Sequence, residues 1–86
     1  MTRTLPLAFA LAALPFAVAA LPAVGDMVGT NPGDATAALG KAGCTVRSFE
    51  AEDGKIEAKC VDADNARWEI YIDPASGKVT RIKADD

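Results

Sequence analysis

Apolar and polar residues alternate most cleanly between Arg67 and Ile72. Trp68, Ile70 and Ile72 fall on one side, and Arg67, Glu69 and Tyr71 on the other. This period of two predicts a half-buried strand. Asp73-Pro74 ends it, because proline has no amide proton to give a ladder. Gly77 supplies the positive φ that turns the chain back into a last strand, Lys78 to Ile82. Upstream, Cys44 to Val61 reads as a hairpin about Asp53-Gly54. Val46 and Phe49 are three residues apart, so strict alternation cannot bury both. One extra residue near Arg47-Ser48, a β-bulge, repairs the pattern. Cys44, Val46, Phe49, Ala51, Ile56, Ala58 and Cys60 then share one face. A second turn, Ala63-Asp64-Asn65, uses the tolerance of Asn65 for left-handed backbone. It sets Cys60 opposite Trp68, Ala58 opposite Ile70 and Ile56 opposite Ile72. The two turns therefore select the same apolar face. Val79 and Ile82 are again three apart, which predicts a bend or a frayed end. Lys83 to Asp86 reads as a mobile acidic tail.

The period changes before the first hairpin. Ala35, Ala38, Leu39 and Ala42 fall at i, i+3, i+4 and i+7, one stripe of a helix. Asn31 is a good N-cap, Pro32 suits the first helical position, and Asp34 places an acid in the first turn. Gly43 fits the left-handed residue that ends a helix. The helix is short, carries Gly40 inside, and has few large side chains, so it needs a sheet to pack on. The predicted fold is α+β: one short helix on one face of an antiparallel β-meander of three to four strands.

The amino-terminal pattern differs from all of this. Arg3 precedes an apolar run from Leu5 to Ala20, broken by Pro6 and Pro15 and closing in Ala17-Val18-Ala19-Ala20. Small residues after a short apolar run are what a signal peptidase requires. Residues 1–20 are read as a cleaved signal peptide, with an uncleaved anchor as the alternative. Residues 21–31, broken by Pro22, Gly25 and Gly29, read as an extended or mobile lead-in, and 32–86 as the domain. The expected location is the periplasm or the exterior of a bacterium, with no membrane contact after cleavage.

Composition then narrows the chemistry. The leader takes Arg3 and no acid, so the formal net charge moves from −3 to −4. An acidic chain of this kind has no basic patch for nucleic acid or anionic lipid. A domain of about 65 residues has a marginal core and often carries a covalent staple. Cys44 and Cys60 are the candidates, since export favours disulfides. In the bulged register they are diagonal neighbours on one face. The alternative is two buried free thiols. With no histidine in the chain there is no Ser-His or Cys-His pair, and two cysteines by themselves cannot complete a zinc shell. Asp62, Asp64 and Glu69 read as turn and strand-surface acids. No catalytic residue, metal ligand or cofactor is predicted.

One run of motifs resembles a known family. A helix is followed by Ala42-Gly43-Cys44-Thr45-Val46, then Glu50 to Ala58 around Asp53-Gly54. The closing motif is Trp68-Glu69-Ile70-Tyr71-Ile72-Asp73-Pro74-Ala75-Ser76-Gly77-Lys78-Val79. This is similar to the PepSY domain, in which the closing strand reads Glu-hydrophobic-x-hydrophobic-Asp-x-x-x-Gly-x-hydrophobic. The resemblance covers roughly residues 34 to 83. Cys44 departs from it where an aromatic usually follows Gly43, and Asn65 where glycine is common. The resemblance implies a non-enzymatic module that restrains or modulates a peptidase or another exported protein. It carries over no catalytic residue.

Three functional readings follow: such a binding module, a structural or sensory envelope domain that binds a small ligand or itself, and a small enzyme. An exposed edge strand or an apolar patch favours the first. A concave apolar pocket between helix and sheet favours the second. The face that the helix leaves open carries Glu57, Lys59, Val61, Glu69 and Tyr71. Of these, Tyr71, Val61, Glu69 and Lys59 form the candidate binding surface, with Tyr71 as an exposed aromatic anchor. The alternative is that Tyr71 merely shields its cross-strand neighbour.

Overall fold

The computed structural model describes residues 21–86. The signal peptide expected over residues 1–20 lies outside the described residues. Helix α1 spans Pro32–Lys41 and is followed by strands β1 (Thr45–Glu52), β2 (Lys55–Val61), β3 (Arg67–Ile72) and β4 (Val79–Ala84). The strands form one antiparallel meander in the order β1-β2-β3-β4. This is the α+β fold the pattern predicts, with four strands.

Both helix ends follow from their residues. The Asn31 side chain accepts a hydrogen bond from the Asp34 N–H at 2.9 Å, and its amide donates to the Asp34 carboxylate at 2.9 Å. Gly43 adopts φ 93°. The N–H of Cys44 reaches the Leu39 carbonyl at 2.9 Å, and that of Gly43 reaches Gly40 at 3.0 Å. These paired bonds satisfy carbonyls that the helix end leaves open, and they hand the chain directly to Cys44.

The register matches the sequence argument closely. Cys60 faces Trp68, Ala58 faces Ile70 and Ile56 faces Ile72. A bulge interrupts β1 between Val46 and Ser48, so Val46 faces Cys60 while Ser48 faces Lys59. Asp53 and Gly54 both take positive φ, 51° and 78°, as a two-residue hairpin turn with matching twist requires. Asn65 adopts φ 65° in the second turn. A second bulge lies between β3 and β4, where Tyr71 faces Arg81 but Ile72 faces Val79. Thr80 is the extra residue, and it lets Val79 and Ile82 turn to the same side.

Cys44 and Cys60 are bridged, with their Cα atoms 5.3 Å apart. They sit in a core with Leu39, Ala35, Ala58, Ile70, Ile72, Val79 and Val28. Leu39, Cys44, Ala58 and Ile70 are fully buried. The helix contributes only Ala35 and Leu39 to the buried set, so the bridge and the β-branched residues of β3 and β4 supply much of the packed volume.

Three expectations are corrected. The lead-in is extended, as one of its two readings had it, but not mobile: it pairs as a strap with Gly77 to Val79, at the start of β4. The Gly25 N–H bonds the Val79 carbonyl at 2.8 Å, the Val79 N–H bonds Asp26 at 2.9 Å, and the Val28 N–H bonds Gly77 at 2.8 Å. Val28 is 5 % exposed and belongs to the core. Gly77 does more here than turn the chain at φ 77°; a Cβ at this position would lie 2.8 Å from the Gly29 carbonyl carbon. The last strand also runs further than predicted. Lys83 and Ala84 stay in β4, and the Asp85 N–H bonds the Arg67 carbonyl at 3.0 Å, so the acidic tail is held by β3. Finally, Trp68, which alternation places on the core face with Ile70 and Ile72, is only partly buried. Its indole packs at the rim of the core and donates to Asp62 at 2.9 Å, because the ring needs a polar partner for its N–H.

Candidate functional site

The sheet's uncovered face holds every residue of the sequence-derived surface. Lys59 faces Glu69 across β2 and β3, Glu57 faces Tyr71, and Val61 faces Arg67. These groups are engaged with one another. Lys59 lies 3.6 Å from Glu50, and Lys83 lies 3.8 Å from Glu69. The Tyr71 hydroxyl donates to Glu69 at 3.1 Å, and the Arg81 guanidinium stands over the Tyr71 ring at 5.6 Å. Tyr71 is therefore half-buried, not the exposed aromatic expected from its place on an open face. Its neighbours on β3 and β4 fold over it, since a large ring on a flat sheet loses less apolar area to water when long side chains cover it.

Beneath this layer lies Glu57, which is 3 % exposed. Its carboxyl is pushed up from the ordinary 4.5 to about 7. A hydrogen bond shared with Glu52 is the main cause; burial and the charge of Glu69 add to it. Glu69 goes the other way. Partial loss of water works against its charge, but Tyr71 and Lys83 outweigh that and lower its pKa. Burial and the acceptor Glu69 raise the phenol of Tyr71, and Glu50 raises the ammonium of Lys59. Asp62 is held low by the Trp68 indole and by the Ala66 and Asp64 amides, the behaviour of a turn acid. Among the described residues no group of histidine, cysteine, aspartate or glutamate side chains is arranged to hold a metal ion.

A second feature was not assembled from the sequence. An open groove of about 200 Å³ lies between the amino-terminal end of α1 and the sheet. Pro32 and Ala35 form one wall, Phe49, Ala51, Ile56 and Ile72 form the floor, and Pro74 closes an end. The lining is mainly apolar. It exists because α1 begins with small residues: Pro32 and Ala35 leave the space that a longer side chain would fill. The groove opens beside β1, an edge strand of the sheet. The signal was present in the alanine-rich helix, but only the packing shows which strands the gap adjoins.

The fold and the motif order agree with the comparisons. Residues 6–83 match the family described as peptidase propeptide and YPEB domain, PepSY. The chain belongs to the PepSY family. No curated protein and no solved structure matches it. The match takes in the strap as well as the helix and the meander as far as Lys83. PepSY modules are generally associated with propeptide or inhibitor-like roles, which is as far as membership goes. Among the described residues no helix is long and apolar enough to cross a membrane.

Proposed function

We propose that this PepSY chain is a non-enzymatic exported module that binds, and thereby modulates or inhibits, a peptidase outside the cytoplasm. The observation that carries the reading is the edge of β1 lying open beside an apolar groove. Family membership supplies the peptidase. A groove between helix and sheet is what the other reading, a small-ligand receptor, calls for, but its size and openness weigh against that reading. Sites that enclose small molecules are typically about 300–1,000 Å³ and bury most of the ligand, whereas this one is smaller and open on one side. It is the size of a side chain presented by a larger partner. Tyr71, Val61, Glu69 and Lys59 remain candidates for a secondary contact, at the cost of breaking the Tyr71–Glu69 bond and the Lys59–Glu50 pair.

Affinity capture from an envelope extract tests this, followed by assay of each captured peptidase on a fluorogenic peptide. The expected result is a peptidase whose rate falls as the protein is added. Capture of no peptidase, or undiminished rates at saturation, overturns the reading. Export is tested separately. Intact mass of the protein recovered outside the cytoplasm is expected to correspond to a start at Ala20 or Leu21, and a full-length membrane-bound product overturns it.

A further inference from the structure

The two edges of the sheet are treated differently. At the β4 side the strap, Gly25 to Val28, occupies the outer edge of Gly77 to Val79, where that strand begins. At β1, among the described residues, nothing pairs with the outer edge. Hairpin geometry shows which groups are free there. Glu52 and Lys55 flank a two-residue turn and form a hydrogen-bonded pair. Pairs alternate from that point, so Ala51 and Phe49 are non-hydrogen-bonded pairs with Ile56 and Ala58. The N–H and C=O of Ala51 and Phe49 therefore point away from the sheet. Their side chains line the groove.

We propose that β1 takes up an extended peptide segment as a fifth strand, and that this segment alternates apolar and basic residues. The inference rests on the binding-module reading and specifies its contact. A strand added at Phe49 and Ala51 would place every second side chain on the helix side, over the groove. The side chains between would lie on the open face, beside Glu50 and Glu52. Glu50 already has Lys59 at 3.6 Å and Glu52 stands opposite Lys55, but both lysines are on β2, and the acids on β1 itself lie nearest an added strand, so the complementary segment carries Lys or Arg there. The same charges argue against a second copy of the chain. Self-pairing centred on Glu50 opposes Glu50 to itself, and centred on Ala51 opposes it to Glu52. Pairing centred nearer Phe49 runs into the bulge at Arg47.

The test uses the exported, disulfide-bonded protein labelled with ¹⁵N. The probe is a synthetic nine-residue peptide alternating Lys and Val with Leu at its centre; its counterpart has Glu for every Lys. The Lys peptide is expected to shift and protect the Phe49 and Ala51 amides, with the Glu peptide binding about tenfold more weakly or worse. Ala51→Trp, at an exposed position, fills the groove and is expected to abolish binding while the thermal melt stays native-like. Equal binding of both peptides, or shifts confined to α1 or β4, overturns the proposal. So do Phe49 and Ala51 amides that are already protected before peptide is added, since the edge is then occupied by the chain itself or a second copy. If Ala51→Trp still slows a captured peptidase as the parent does, the β1 site falls and the module reading stands. If no peptidase is slowed by the parent but the Lys peptide binds as described, the module reading loses its peptidase and the site stands.

Discussion

On the helix-covered face of the sheet, Ala58, Ile70 and Ile72 are sealed by α1, Val28 and the Cys44–Cys60 bridge. On the other face Glu57 is sealed as completely by nothing more than its neighbours' side chains. The covered face excludes water with a second layer of structure and buries only groups that gain from it. The uncovered face makes a single layer from Tyr71, its bond to Glu69, and the Arg81 cation over its ring, and it buries a carboxyl that gains nothing while charged. Apolar burial on the first face stabilises at every pH. The arrangement on the second depends on where Glu57's proton is.

The comparison is broken most severely on the covered face. Ile70→Ala removes a fully buried side chain at the centre of the sheet and is expected to cost about 2–5 kcal/mol. For a domain this small that leaves little or no folded protein, which urea denaturation followed by tryptophan fluorescence will show. Replacing both cysteines, Cys44→Ala with Cys60→Ala, is expected to cost roughly 3 kcal/mol. The residues lie 16 apart in sequence, so the loop they close is long enough for its entropy to matter. A double variant that melts within a degree or two of the parent would show that the helix and sheet need no staple.

Smaller effects belong to the open face. Tyr71→Ala exposes Glu57, removes a ring from beneath Arg81, and is expected to cost about 1 kcal/mol. Its signature is a lower Glu57 pKa, still held above 4.5 by the bond to Glu52, read by ¹³C NMR of the carboxyl. Glu57→Gln has the clearest sign, and the size of its effect depends on pH. A carboxyl raised to about 7 in the fold binds its proton more tightly folded than unfolded. The stability it contributes is complete below the ordinary value of 4.5 and is lost as pH rises through about 7. Gln cannot ionise, so the variant is expected to melt above the parent at about pH 8 and with it below about pH 4. The reverse order at about pH 8 would mean that the Glu57 carboxylate is stabilised by a partner rather than penalised.

Much of the architecture was legible in the residue pattern, for local reasons. Asp53-Gly54 and Asn65 dictate turns by their backbone tolerance, and each turn sets a register. The three-residue spacings, Val46 to Phe49 and Val79 to Ile82, are resolved by the bulges observed at Arg47 and Thr80, the first expected as a bulge and the second as a bend. The same logic brought Cys44 and Cys60 to one face. The lead-in was misjudged because its hydrogen bonds go to Gly77 and Val79, some fifty residues away, and no short-range pattern records such a partner. Glu57 was misjudged for a related reason. Its own strand makes it a polar, outward-facing residue, and its burial comes from Tyr71 on the next strand and the side chains folded around that ring.

The candidate site divides the same way. Alternation along β1 and β2 determined which residues face the helix, and the lack of histidine determined which chemistries the side chains cannot perform. Both are properties of single residues and their spacing. Only the tertiary structure decided that the small residues opening α1 stand over Ala51 and Ile56 to leave a groove, and that the strap pairs with the start of β4 while β1 lies open. A gap and a free edge are made by what fails to meet across the fold, and that depends on distances between segments that sequence spacing does not carry.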